Sequence, residues 1–202
     1  MRSYLFIIFI ILFSGLNAHS QKFQSNLSLH LGRAGNNQDA KPKFSYGAGV
    51  ELGVNISPKF AFLVKPMAMF RGYKDAIYNV SALYLDVPVA FEYTRKSTSK
   101  VNWLLGGGVY GGMALAGNYK YENNKTILKF GESATDNRSR LDYGIHGVFG
   151  WLGQNGVKWA GQFQAGLKNV IPEARVVPGE KKLILSNFTF YLSIPIAKAK
   201  KD

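Results

Sequence analysis

The 202-residue chain has no cysteine. That excludes disulfides, thiolate-built zinc sites and cysteine nucleophiles, so the fold is held together by other means. Acidic residues are scarce: 12 Asp and Glu stand against 25 Lys and Arg, for a formal net charge of +13. There is no apolar run of about 20 residues, the length a bilayer helix needs. Histidine is sparse, at His19, His30 and His146, and no pair has the spacing of a helical zinc motif. Gly106-Gly107-Gly108 and Gly111-Gly112 are followed by no Gly-Lys-Ser/Thr, so they do not form a phosphate loop. No catalytic residue, cofactor or metal ligand is expected from these patterns.

What the chain does have begins at its N-terminus. Met1-Arg2-Ser3-Tyr4 precedes the short apolar run Leu5 to Leu16, and Ala18-His19-Ser20 follows with small residues at the first and third positions. A positive charge, a short apolar block and small residues form a secretory signal, expected over 1–20 with cleavage before Gln21. Its removal takes one charge, Arg2, and lowers +13 to +12. The remaining 21–202 reads as one domain. Export makes nucleic acid an unsuitable partner for the basic excess, whereas anionic lipid headgroups suit it.

From Phe44 to Ile56 every even position is apolar, aromatic or alanine, and every odd position is small or polar. Successive strand residues point to opposite faces, so this is one long strand with an oily face and a polar face. The pattern occurs eight times: Phe23 to Gly32, Phe44 to Ile56, Phe60 to Arg71, Leu83 to Thr94, Val101 to Ala116, Leu141 to Leu152, Val157 to Val170 and Leu183 to Ile196. Short connections at Ser57 to Lys59, Arg95 to Lys100 and Gly153 to Gly156 alternate with long ones at Arg33 to Lys43, Gly72 to Ala82, Gly117 to Arg140 and Ile171 to Lys182. Short periplasmic turns and longer external loops mark bacterial outer-membrane barrels. The expectation is an eight-stranded, up-and-down antiparallel transmembrane β-barrel with both termini periplasmic. Pro66 and Pro88 interrupt two segments, and a bulge or distortion is expected at each.

On the oily face, Phe60, Tyr93, Trp103, Trp151 and Trp159 all fall near short turns. They form an expected aromatic girdle at the periplasmic interface. A lipocalin-like barrel would instead turn the oily face inward around a ligand. Its exterior would then be a face of Gly and Ala with little charge, which suits no soluble surface. The polar face should enclose a structural network of Glu51, Lys65, Arg71, Asp86, Glu92, Asp142 and His146, because buried charges need partners. With the turn centred on Pro58, Glu51 lies opposite Lys65 and should pair with it.

Four segments carry a family resemblance. Tyr84-Leu85-Asp86-Val87-Pro88-Val89 resembles the Tyr-Leu-Glu-Ile-Pro-Leu type strand of the PorT-like outer-membrane β-barrel family of Bacteroidetes. Leu141-Asp142-Tyr143-Gly144-Ile145 resembles its Phe-Asp-Phe-Gly strand start, Gly166-Leu167-Lys168-Asn169-Val170 its Gly-Leu-x-Asn segment, and Gly106-Gly107-Gly108-Val109-Tyr110 its glycine-aromatic strand. Asp86 departs from the usual Glu, and the sequence ends Ala-Lys-Ala-Lys-Lys-Asp where an aromatic is common. The resemblance implies a small outer-membrane barrel. One family member is tied to protein secretion and gliding machinery.

The expected function is a non-enzymatic structural or interaction module of the outer membrane. Its expected partners are membrane lipid and lipopolysaccharide, with envelope or secretion proteins besides. A narrow pore or transporter for small solutes is the alternative. A lipid A-modifying barrel enzyme is a second, since His30 with Ser28, or His146 with Asp142, imitates part of such a site.

Overall fold

The computed structural model describes residues 23–196 apart from 38–39, 75–77, 96, 98–100, 123 and 176–181. The expected signal segment at 1–20, its cleavage position and the last residues of the chain lie outside the described residues. No helix among the described residues is long and apolar enough to cross a membrane.

Period-two alternation becomes strand throughout. The strands are β1 (Phe23–Asn36), β2 (Lys41–Asn55), β3 (Phe60–Val64), β4 (Met67–Lys74), β5 (Tyr78–Arg95), β6 (Val101–Tyr121), β7 (Asn124–Ile127), β8 (Leu141–Gly153), β9 (Lys158–Gly166) and β10 (Leu185–Pro195). Among the described residues one 3-10 turn covers Glu173–Arg175. All strand pairings are antiparallel.

The strand count of eight is corrected to ten among the described residues. One extra strand arises where the third segment breaks between Val64 and Met67. A hydrogen-bonded antiparallel pair exchanges two bonds. Here Val50 N donates to Pro66 O at 3.0 Å and Lys65 N to Pro88 O at 2.9 Å. Neither proline has an N–H to return. Two ladder bonds are thus missing at adjacent positions, and the strand splits there. β3 and β4 nevertheless both lie between β2 and β5. The other extra strand is β7, which folds back on the end of β6 inside the long Gly117 to Arg140 connection.

At Pro88 the distortion is confined to the side facing β3 and β4, since β5 keeps its register with β6 across Pro88 and Tyr110. The register shifts lie elsewhere, between Pro42 and Tyr46 and between Leu83 and Tyr84. Several strands also run further toward the long-loop end than the alternation indicates, most of all β5 and β6, which each gain five residues there.

The ladders return on themselves. Directly opposed residues lead from Phe60 through Tyr93, Leu105, Phe149, Gly161, Phe190, Leu31 and Tyr46 to Phe70. Phe70 lies on the same β3–β4 line as Phe60, ten residues further on. All residues on this path except Gly161 are large and apolar or aromatic, so one face of the sheet carries a continuous oily band.

That band faces out. Phe44, Leu105 and Phe190 are each more than 60% exposed, whereas Ser28, Glu51, Asp86 and Thr189 on the other face are at most 1% exposed. A soluble protein rarely exposes so large an apolar surface. The inward oily face of a ligand-binding lipocalin-like barrel is therefore not the arrangement adopted. Inside, an apolar cluster of Tyr73, Val80, Tyr84, Leu128, Val170 and Leu185 fills the long-loop end. A smaller one of Leu104, Val148, Ala160 and Tyr191 lies toward the short turns.

Candidate functional site

The enclosed polar face gathers into two ion-pair networks. In the first, β2, the β3–β4 junction, β5 and β9 each supply one charge. Lys65 Nζ lies 3.3 Å from Glu51 Oε1 and 2.5 Å from Glu92 Oε1. Lys158 Nζ lies 3.2 Å from Glu51 Oε2 and 2.9 Å from Glu92 Oε2. Two cations and two carboxylates therefore alternate around a square. Glu51 Oε2 also accepts from Ser193 Oγ at 2.7 Å and from Asn26 Nδ2 at 3.2 Å. Lys65 sits over the Tyr191 ring at 5.2 Å, and His30 stacks on the same tyrosine at 5.1 Å.

The second network centres on Arg71. Its guanidinium pairs with Asp86, reaches Asp142 Oδ2 at 3.5 Å and donates to Gln164 Oε1 at 2.7 Å. Tyr110 donates to Asp142 Oδ2 at 3.0 Å. The guanidinium lies 5.3 Å from the Tyr84 ring centre and 5.7 Å from that of Tyr110. Gly112 makes room for this group, because a Cβ there would meet the Asp86 carboxylate.

All seven residues expected inside are buried. Glu51, Lys65 and Glu92 meet in one network, and Arg71, Asp86 and Asp142 in the other. The Glu51–Lys65 pair is present at the register expected from the hairpin. His146 joins neither network by an ion pair. It lies opposite Gly108 on one side and Gln164 on the other. Sequence reasoning missed Lys158, Gln164, Tyr110 and Tyr191. Lys158 and Gln164 stand on the polar face of their segment.

Every buried carboxylate faces a cation, and no cluster of metal-ligating side chains occurs among the described residues. His30 Nε2 and Ser28 Oγ are 3.0 Å apart, yet both residues are buried on the enclosed face. A substrate held on the oily exterior does not reach them.

The outer face carries the five rim aromatics as cross-strand neighbours. Phe60 opposes Tyr93 with ring centres 5.1 Å apart. Trp151 opposes both Trp103 and Trp159, and the Trp103–Trp151 centres are 5.5 Å apart. At the other end, polar ties hold the long connections. Lys168 Nζ lies 3.0 Å from Glu132 Oε1, Ser139 Oγ donates to the same oxygen, and Arg138 donates to Tyr73 Oη at 2.5 Å. The Ser139 hydrogen bond, then the Lys168 ammonium, hold the Glu132 carboxyl below the usual carboxylate range.

No protein-family model matches the chain, and no curated protein matches it in sequence. Among solved structures it is similar to Neisserial surface protein A, with a TM-score of 0.53 and 9% identity over 87% of this chain and 99% of that one. It is also similar to the outer membrane enzyme PagL, with a TM-score of 0.52 and 11% identity over 85% of this chain and 99% of that one. The chain thus has the all-β antiparallel fold of small outer-membrane barrel proteins. That fold serves a surface protein in one case and an enzyme in the other, so it does not select a function.

Proposed function

We propose that this chain is a small integral outer-membrane barrel that serves as a non-enzymatic structural or interaction module. In this reading β3 and β4 form one wall strand and β7 lies outside the wall, so the ten strands make an eight-strand barrel. The short turns and both termini face the periplasm, and the long connections face outward amid lipopolysaccharide. The exposed apolar band and the aromatic rim support the membrane setting. Membership of the PorT-like family, and a link to an envelope or secretion complex, rest on the four resembling segments.

One observation carries the functional reading. Lys158 on β9 is tied to Glu51 and Glu92 on β2 and β5, and Arg71 on β4 to Asp142 and Gln164 on β8 and β9. Cross-wall ion pairs fill an eight-strand interior, which side chains can close. Continuous conduction would require separating buried charges, an expensive step. Purified protein in a planar bilayer should show no steady conductance, and crosslinking in native membranes should capture a defined envelope partner. Stable single-channel steps would establish the pore reading instead, and a mass shift of lipid A on overexpression would establish the enzyme.

A further inference from the structure

The excess positive charge of this chain does not lie in its interior. The two buried networks hold Lys65, Arg71 and Lys158 against Glu51, Asp86, Glu92 and Asp142, so carboxylates outnumber cations there. Outside, part of the excess is ordered by the sheet. Lys41 opposes Lys74, Lys74 opposes Asn79, Asn79 opposes Lys120, and Lys120 opposes Lys125. Directly opposed residues share a face, and strands lie about 4.8 Å apart. Four lysines and one asparagine therefore form a lateral row across β2, β4, β5, β6 and β7, roughly 20 Å long.

The row faces outward. Tyr73 and Val80, next to Lys74 and Asn79 in sequence, are buried, and Tyr119, next to Lys120, packs against the interior cluster. All four lysines are exposed. Lys43 joins them: its Nζ donates to Ser81 Oγ at 2.5 Å and to Val80 O at 3.2 Å. It crosses Gly72, where a Cβ would stand only 3.3 Å from Lys43 Cδ. Like charges set directly opposite each other destabilise a sheet. Among the described residues no carboxylate stands in the row to relieve Lys41 and Lys74 or Lys120 and Lys125. Glu122 lies in the adjoining β6–β7 turn.

Just below the row the same face turns oily. Phe70 opposes both Tyr46 and Leu83, and the Tyr46 and Phe70 rings stack at 4.9 Å. Cations directly above an apolar wall match a lipid with anionic headgroup and acyl chains. Lysine ammonium groups bind phosphate as point charges. We propose that Lys41, Lys43, Lys74, Lys120 and Lys125 bind the phosphates of a phosphorylated glycolipid of the outer leaflet, whose acyl chains lie against Tyr46, Phe70 and Leu83. This site rests on the membrane reading given above.

The test uses the full mature chain in vesicles of phosphatidylethanolamine doped with bisphosphorylated lipid A, or with lipid A stripped of its phosphates. Wild type should retain the phosphorylated form through detergent extraction. The fourfold variant Lys41→Gln, Lys74→Gln, Lys120→Gln, Lys125→Gln should retain about tenfold less. Replacing the same four by Arg should preserve retention, and the stripped lipid should bind both proteins alike. The paired variant Lys74→Gln, Lys120→Gln should fall between. Equal retention by wild type and Gln variants, each running as a heat-modifiable band, overturns the site alone. Equal binding of soluble polyphosphate and lipid A also overturns it in favour of a general polyanion surface. Recovery of wild type as lipid-free soluble protein overturns the membrane reading and the site together.

Discussion

Lys158 neutralises two carboxylates that reach it from strands across the interior, β2 and β5. Replacing it by Met leaves Glu51 and Glu92 sharing Lys65 alone. Breaking a buried pair costs about 3–5 kcal/mol, because a charge is left without a partner. Urea unfolding in lipid vesicles should show a loss of that size for Lys158→Met. Lys168→Met should cost under about 1 kcal/mol, since its partner Glu132 is 47% exposed and the pair is screened by water. Glu132 offers a second test at this scale. Its folded pKa is depressed, so its tie contributes above the unfolded value and is lost as pH falls through the folded one. A carboxyl titration followed by NMR should place the Glu132 midpoint below the ordinary value of about 4.3. Ser139→Ala should raise that midpoint. Identical midpoints in the two proteins would remove Ser139 as the cause.

Among the strands, close approach is concentrated at particular glycines. A Cβ at Gly108 would run into the Val89 carbonyl and the Ala90 Cα, both backbone atoms of β5. The neighbouring strand cannot yield without breaking its ladder. Gly108→Val should therefore abolish the heat-modifiable folded band. At Gly111, three residues on along the same strand, a Cβ would meet nothing within 4 Å, so Gly111→Ala should fold like wild type. Alternation puts Gly108 on the enclosed face and Gly111 on the oily one, and the close approach of β5 makes the first intolerant. The strand break at Lys65-Pro66 has the same character. Either proline alone suggests a distortion, but the split arises because Pro66 and Pro88 remove donors from adjacent pairings, and that adjacency is a matter of register.

Across the whole molecule, charge and aromatic character are sorted by position. Cation–carboxylate networks fill the interior, an oily band encircles the outside, and the ordered lysine row stands at the long-loop edge. Trp103, Trp151 and Trp159 stand side by side on β6, β8 and β9 near short turns. Their fluorescence in vesicles should be quenched more by lipids brominated near the headgroup than by lipids brominated near the chain end. Stronger quenching from the chain end would place this rim at the bilayer centre and contradict the proposed orientation.

Strands, faces and the Glu51–Lys65 pair are properties the sequence determined by itself. Alternation with period two assigns each residue to a face, and a short turn sets the partner across one hairpin. Contacts between walls were decided by the tertiary structure. Lys158 meets Glu51 and Glu92, and Arg71 meets Asp142 and Gln164, because the ladders return on themselves with a ten-residue stagger. The lysine row likewise depends on register across five strands. No local pattern encodes that stagger, since it is a property of the sheet as a whole.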